Sequence, residues 1–279
     1  MSSRRWVQRT TNQQLVAMRK SGLIVSDILD QLVAASVPGV ATGDLDALAR
    51  GLITEAGAVS SFLGYGSRLG LPPFPAVTCI SVNEEVVHGI PKDRTLVAGD
   101  LVSIDFGVAY NGWHGDSART LEVGAVSAEK SELSRATRQA LWDGICAIKV
   151  GGRIGDISAA IESSLTAHNK GYAAVREFTG HGIGKQLHMD PSVPNFGKAG
   201  HGSVIKAGMC LAIEPIVVLK SAATLTLADE WTVVTRDGTP AAHWEHTVAV
   251  TKAGLWVLTA ADGGEADLKS YGGSFAPLA

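Results

Sequence analysis

Apolar side chains recur with a helical period near the start of the chain. They fall on one helix face at Ile24, Val25, Ile28, Leu29, Leu32 and Val33. The segment Val37-Pro38-Gly39 ends this helix, and a second helix is predicted from Thr42 to its C-terminal cap at Gly57. The same period predicts two more helices, one from about residue 127 to Ile148 and one from Ile154 to near Gly171.

Other segments alternate between apolar and polar residues, as antiparallel strands do. These runs lie at 76–81, at 101–106, from Trp113 onward, and at 209–219, 231–236 and 243–259. Asn111-Gly112 stands between two of the runs and is a strong signal of a two-residue hairpin turn. After Leu258 the chain is rich in Ala, Asp, Gly and Ser, so we expect residues 263–279 to form a loose C-terminal tail.

A pattern in the first half of the chain recurs in the second half. Ala98–Asp105 and Ala207–Glu214 share the order Ala-Gly-x-x-apolar-x-Ile-acid. Such self-similarity predicts two helix-plus-hairpin halves, at about 12–125 and 126–259, related by a pseudo-twofold axis. Chance agreement among common Gly and Ile residues is the alternative, but each copy ends an apolar strand with a carboxylate, which favours duplication. No linker composition separates the halves, so residues 1–262 are predicted to form one domain.

Composition and charge narrow the class of protein. The 279 residues are 46% hydrophobic with a net charge of −3, which excludes intrinsic disorder, and no basic stripe indicates nucleic-acid binding. The three cysteines are far apart, which indicates no disulfide framework and a reducing compartment. The N-terminal charges precede no apolar signal segment, and no apolar run approaches the ~18 residues of a membrane span. We therefore expect a soluble cytoplasmic protein.

Two acidic residues are predicted to meet on one face of the hairpin. If Asn111-Gly112 forms the turn, Gly107 lies opposite Asp116, and Asp105 lies diagonally from Asp116. Carboxylates this close repel each other unless a cation lies between them, and Gly107 leaves room for one. A solvent-facing pair of strand acids is the alternative, which the apolar run around Asp105 disfavours.

The second half supplies further candidate ligands. Glu214 repeats the position of Asp105, and Glu245 takes the part of Asp116. His181 stands between glycines that expose its imidazole, which makes it a fifth candidate. Four carboxylates carry four negative charges, so two divalent ions balance them better than one. His88 and His188 are candidate acid–base or hydrogen-bonding groups, although each alone fits a structural histidine equally well.

Five motifs follow one another in the chain, namely Cys79–Pro91, Ile104-Asp105 with Trp113–Asp116, Gly180–Gly184, Ile213–Pro215 and Trp244–Thr247. Together, over about residues 12 to 259, they resemble the type I methionine aminopeptidases. The resemblance implies the α+β pita-bread fold, two pseudo-symmetric helix-plus-hairpin halves around a curved antiparallel sheet. It also implies hydrolysis of the first peptide bond of nascent proteins, which removes the initiator methionine when the second residue is small.

Site residues carry over from the resemblance position by position. The implied metal ligands are Asp105, Asp116, His181, Glu214 and Glu245, with Asp116 and Glu245 bridging two ions of Co²⁺, Mn²⁺ or Fe²⁺. Glu214 is the implied proton carrier, His188 the group that stabilises the oxyanion, and His88 the contact to the peptide nitrogen beyond the cleaved bond. The implied methionine pocket consists of Tyr65, Phe74, Cys79, His88, Leu187, His188 and Trp231.

The resemblance also implies binding partners, and it must be weighed against other families that share the same ligand pattern. It implies a structural monovalent cation near Asn83, a monomeric state, and nascent N-termini at the ribosome as the substrate. Prolidases and aminopeptidase P share the five-ligand pattern but have a large extra N-terminal domain, for which the chain before Cys79 is short. A non-catalytic protein of this fold would be expected to lack ligands, and none is missing here. The segment Gly66–Pro73 is longer than the family's usual loop.

Overall fold

The computed structural model describes residues 9–67 and 70–278, and five helices lie within them. They are α1 (Asn12–Ala35), α2 (Thr42–Glu55), α3 (Ala128–Cys146), α4 (Ile154–Ala167) and α5 (Glu265–Ser270). The predicted positions of the first four are confirmed. α4 nevertheless ends before Gly171, because Asn169 has already left the helical region with φ of 50°, a left-handed conformation that asparagine tolerates.

The strands of the described residues pair antiparallel throughout. In chain order they are β1 (Val59–Ser60), β2 (Cys79–Val82), β3 (Glu85–Val87), β4 (Leu101–Tyr110), β5 (Trp113–Glu122), β6 (Ala173–Ala174), β7 (Gly180–Gly182), β8 (Met189–Val193), β9 (Cys210–Ile213), β10 (Ile216–Val218), β11 (Thr224–Thr226), β12 (Val233–Thr235), β13 (Ala241–His243), β14 (His246–Val250) and β15 (Leu255–Val257). In one sheet β4 pairs with β1, β2 and β5, and another has the order β15-β14-β9-β7-β8. Two three-stranded sheets, β13-β10-β6 and β11-β12-β3, complete the set.

Each large sheet packs against its own pair of helices. One core cluster joins α1 and α2 to β2 and β4, through residues that include Leu29, Ile53, Ile80 and Phe106. A second cluster joins α3 and α4 to β9 and β14, through residues that include Leu141, Ile161, Leu211 and Val248. This architecture confirms the α+β class with two helix-plus-hairpin halves, while the boundaries assigned to the halves stay a prediction.

The expectation of a loose tail at 263–279 is wrong for the described part of that segment. It forms α5, whose Leu268 is fully buried, and Asp267 accepts hydrogen bonds from Arg138 at 2.8 Å. Leu255 then forms a parallel bridge with Phe275. Two apolar side chains and one ion pair anchor a segment whose overall composition is that of a loop. Ala279 lies outside the described residues.

Part of the predicted longer loop lies outside the described residues, namely Arg68 and Leu69. Residues 1–8 lie outside them as well. Cys79, Cys146 and Cys210 are all free thiols, which agrees with the absence of a disulfide framework. Within the described ranges, no helix combines the length and the apolar character that a membrane crossing requires.

Candidate metal centre and active-site cavity

The hairpin of β4 and β5 positions two of the predicted ligands. Asn111 and Gly112 form its turn with φ of 51° and 73°, so Tyr110 pairs with Trp113 and Gly107 with Asp116, as predicted. A Cβ atom at position 107 would lie 2.8 Å from Oδ1 of Asp116. A glycine is therefore required there for the Asp116 carboxylate to keep its position.

The three candidate ligands of the second half reach the same place from different strands. His181 lies in β7, Glu214 directly follows β9, and Glu245 lies between β13 and β14. Ligand atoms of Asp116, His181 and Glu245 all lie within 4.8 Å of one another. Nε2 of His181 is 3.5 Å from Oε1 of Glu214 and 4.0 Å from Oδ2 of Asp116.

Hydrogen bonds join the two halves at these ligands. The Thr247 hydroxyl donates to the carbonyl oxygen of Asp116 at 2.8 Å and accepts from its amide at 3.1 Å. The amide of Glu245 donates to Ala118 at 3.0 Å, and the Ser117 hydroxyl donates to the carbonyl oxygen of Glu245 at 2.6 Å. Asp116 and Glu245 are thus held side by side by backbone contacts on both sides.

Three carboxylate oxygens of the cluster lack a hydrogen-bond partner among the described residues. They are Oδ1 of Asp105, Oδ1 of Asp116 and Oε1 of Glu245, and all three atoms are buried. Burial raises the pKa of Asp105 to about 7, and burial followed by repulsion from Asp105 raises the pKa of Asp116 well above its ordinary value. Burial and the neighbouring acids raise the pKa of Glu214 and of Glu245 in the same way. Such a cluster is short of positive charge, which divalent cations supply.

His181 has the form that a metal ligand needs. Burial lowers its pKa to about 3, so the imidazole is neutral at pH 7. Its Nδ1 donates to the carbonyl oxygen of Gly182 at 3.0 Å, which leaves the lone pair of Nε2 directed at the carboxylates. Four carboxylates and one imidazole form a donor set that suits Mn²⁺, Fe²⁺ or Co²⁺, so the residues fit the predicted ions.

A cavity of about 250 Å³ ends at this cluster. Its walls are largely aromatic or apolar and contain every predicted pocket residue, namely Tyr65, Phe74, Cys79, His88, Leu187, His188 and Trp231. Phe62, Phe178 and Thr179 also line it, and the sequence analysis missed them. Phe178 and Thr179 directly precede the Gly180–Gly184 motif, a position that could have identified them. The structure brings the predicted residues together, while their individual roles stay predictions.

Two aromatic rings and a strained backbone fix His88 in this wall. Its imidazole meets Phe178 and Trp231 edge to face, with ring centroids 5.2 and 5.9 Å away. The backbone of His88 has φ of 58°, a left-handed conformation that is uncommon for histidine and concentrates at functional sites. Burial lowers the pKa of His88 to about 4, so it is neutral at pH 7.

Two further histidines, His243 and His246, differ in what their ring nitrogens contact. Nε2 of His243 lies 3.9 Å from Oε2 of Glu214 and has no hydrogen-bond partner among the described residues. Nδ1 of His246 instead meets the Thr259 hydroxyl at 2.9 Å.

Comparison with known proteins agrees with this geometry. Residues 16–252 match the model of metallopeptidase family M24. The chain is 46% identical to methionine aminopeptidase 1 of Mycobacterium tuberculosis (strain CDC 1551 / Oshkosh), over 93% of this chain and 97% of that protein, and 44% identical to methionine aminopeptidase 1 of Bacillus subtilis (strain 168), over 89% and 97%. The crystal structure of methionine aminopeptidase from Thermotoga maritima superposes with a TM-score of 0.87 at 38% identity, over 91% of this chain and 99% of that one. The chain therefore belongs to metallopeptidase family M24, among the methionine aminopeptidases.

Proposed function

We propose that this protein is a dinuclear metal-dependent aminopeptidase. It removes the initiator methionine from new polypeptides whose second residue is small. The observation that carries the proposal is the grouping of four carboxylates, two buried and two partly buried, with a neutral imidazole in the lining of one largely apolar cavity. That arrangement supports a hydrolytic centre next to a pocket for a single side chain.

The cavity suits an unbranched thioether. Phe74 and Trp231 meet edge to face with centroids 5.3 Å apart, and the Trp231 indole donates to the carbonyl oxygen of Pro72 at 3.0 Å, which fixes its plane. A methionine sulfur gains ~0.3–1.5 kcal/mol beside an aromatic ring. Leu187 offers a flexible wall without a π face, so we expect methionine to be preferred over leucine by a modest margin.

Asp105, Asp116, His181, Glu214 and Glu245 would hold the two ions, of cobalt, manganese or iron. Such ions, when bound, lower the pKa of water and polarise a carbonyl group. Glu214 is the proton carrier: its side chain is 13% exposed, against 5% for Asp116, so it can reach both water and substrate. It accepts a proton from the attacking water and returns it to the leaving amine.

The two cavity histidines act on the peptide itself. His188 donates a hydrogen bond to the oxygen of the scissile carbonyl, which stabilises the negative charge that develops there. His88 contacts the peptide nitrogen beyond the cleaved bond. Both imidazoles are neutral at pH 7, so each offers one N–H donor and one acceptor.

The remaining proposals concern the surroundings of the enzyme. A structural monovalent cation near Asn83 is proposed on the family resemblance; the side-chain oxygen of Asn83 itself accepts hydrogen bonds from Nζ of Lys130 at 2.7 Å and from the amide of Leu101 at 3.0 Å. The proposed partners are nascent N-termini at the ribosome, the proposed location is the cytoplasm, and the proposed state is a monomer of one catalytic domain.

Peptide hydrolysis by the metal-free protein, with ions added singly, tests the proposal. We expect Met-Gly-Met-Met to be cleaved only after Co²⁺, Mn²⁺ or Fe²⁺ is added, and Ala-Pro peptides to be left intact. Cleavage without metal contradicts the metal dependence, and cleavage only before proline assigns the chain to the prolidase type. Binding of the methionine peptide without hydrolysis, at any metal, indicates a non-catalytic protein.

A further inference from the structure

One hydrogen bond in the cavity has no part in the roles given above. The Tyr65 hydroxyl lies 2.5 Å from Nδ1 of His188, and the two rings meet edge to face with centroids 5.1 Å apart. Tyr65 comes from the loop before β2 and His188 from the segment between β7 and β8. The contact therefore ties together two cavity walls that are distant in sequence.

The chemistry of the two groups decides which one donates. An imidazole with its ordinary pKa of about 6.5 and a phenol with its ordinary pKa of about 10 are both mostly neutral at pH 7. The lone pair of a neutral imidazole nitrogen lies in the ring plane and is undelocalised, whereas a phenol oxygen shares its electrons with its ring, so Tyr65 donates and Nδ1 accepts.

The direction of this bond fixes the other nitrogen of His188. A neutral imidazole carries one proton, and an Nδ1 that accepts from Tyr65 leaves that proton on Nε2. The opposite tautomer would offer a lone pair at Nε2, and a lone pair repels a carbonyl oxygen. A free histidine samples both tautomers, so a donor at this position needs a partner that selects one.

We propose that Tyr65 is a positioning residue whose hydroxyl holds His188 in the tautomer that presents an Nε2–H donor to the carbonyl oxygen of the bound peptide. The inference rests on the proposed aminopeptidase function. The His188 ring also packs edge to face against the proposed ligand His181, with centroids 4.3 Å apart and an interplanar angle of 72°. Tyr65 and His181 together thus limit how far the imidazole can turn.

Removal of the hydroxyl alone separates this role from that of a cavity wall. Tyr65→Phe keeps the ring and loses the donor, so we expect kcat for Met-Gly-Met-Met to fall about 10- to 100-fold, the usual loss on removing a supporting hydrogen bond. KM and metal content should stay within about twofold of those of the native protein. Tyr172→Phe is the matched control, because Tyr172 also meets a histidine edge to face, His168 at 5.7 Å, but lies outside the cavity.

A double-mutant cycle tests whether Tyr65 acts through His188. In a His188→Ala background the Tyr65→Phe change should cause no further loss of kcat, because the group that Tyr65 positions is already absent. An undiminished loss in that background would show that Tyr65 acts by another route, and full kcat in Tyr65→Phe alone would overturn the proposal.

Nitrogen NMR of the histidine rings reads the tautomer directly. The protein is labelled with ¹⁵N-histidine and loaded with diamagnetic Zn²⁺, and His188→Gln identifies the signals of His188. We expect Nδ1 of His188 to be unprotonated and Nε2 protonated, and Tyr65→Phe to shift both signals towards a mixture. A protonated Nδ1 in the native protein would contradict the proposal. This measurement needs no turnover, so it decides the tautomer even if the native protein fails to cleave methionine peptides, which would refute the proposed function instead.

Discussion

Substitution of Gly107 by alanine tests how closely the sheet positions the metal ligands. The added Cβ would lie 2.8 Å from Oδ1 of Asp116, 3.3 Å from its Cγ and 3.1 Å from the ring of Phe62. Ordinary contacts to a Cβ atom begin near 3.4 Å, so the carboxylate must move by about 0.6 Å or turn. The crowded atom is the end of a side chain, which can rotate, and the β4–β5 backbone pairing is retained.

Gly107→Ala should therefore impair metal binding and turnover more than it lowers the stability of the fold. A misplacement approaching 1 Å in a catalytic group costs up to ~10²-fold in rate, so we expect kcat for Met-Gly-Met-Met to fall about 10- to 100-fold. We expect affinity for the second ion to fall by a similar factor, since Asp116 is the proposed bridge. The free energy of unfolding of the metal-free protein should change by less than about 1.5 kcal/mol, typical of a small packing change.

Calorimetric metal titration, steady-state hydrolysis and thermal unfolding measure the three quantities on one preparation. Gly51→Ala is the matched control, because Gly51 lies in α2 and an added Cβ there meets no atom within 4 Å. That variant should keep native metal affinity and turnover, and should be stabilised slightly because alanine is the better helix former. Native metal binding and native turnover in Gly107→Ala would refute the claim that Gly107 makes room for the bridging carboxylate.

Four further outcomes follow from the site. Asp116→Asn keeps the shape of the side chain but removes a negative charge that the two ions would share. Plasma-emission analysis should therefore find one ion per chain, and kcat should fall at least ~10²-fold. Two bound ions with full turnover would show that Asp116 does not bridge them. Alanine at His88 or at His188 should lower kcat and leave metal content intact, whereas loss of metal would make that residue a ligand. Cys79→Ala should change the preference for methionine over leucine substrates, measured as the ratio of their kcat/KM values, by a factor equivalent to ~1–3 kcal/mol. An equal loss of kcat/KM for both substrates would exclude Cys79 from the pocket. The carboxyls of the cluster have raised pKa values, so above about pH 7 the folded metal-free protein holds more protons than the unfolded chain. The melting temperature of the metal-free protein should therefore fall as pH rises above about 7. A melting temperature that rises with pH in this range would contradict those pKa shifts.

The clustering of several candidate metal ligands could be predicted because local rules determine their placement. The Asn111-Gly112 turn sets the register of β4 and β5, and the alternation of side chains then puts Asp105 and Asp116 on one face. The repeat of the Ala-Gly-x-x-apolar-x-Ile-acid pattern carries the same reasoning to Glu214. Each step uses neighbours in sequence or across one hairpin, which sequence patterns encode directly.

Contacts between distant loops could not be predicted in this way. The bond of Tyr65 to His188 and the approach of His243 to Glu214 depend on how separate strands stack, which no periodicity records. The C-terminal segment was misjudged for a related reason. Its composition is that of a loop, yet Leu268 finds a fully buried position once α3 is present, so the core decides the conformation of that segment.

The distribution of the ligands links metal binding to the packing of the two halves. Asp105 and Asp116 belong to the first half, and His181, Glu214 and Glu245 belong to the second, so the complete donor set exists only when the halves are packed. Without ions, the buried acids repel one another across that junction, while the Thr247 and Ser117 hydrogen bonds hold it together. Ions that bind the packed state and not the unfolded chain stabilise the protein by mass action, by about 2.7 kcal/mol at a free concentration 100 times the Kd. The ions that would supply the chemistry would therefore also offset the repulsion between acids that the two halves bring together.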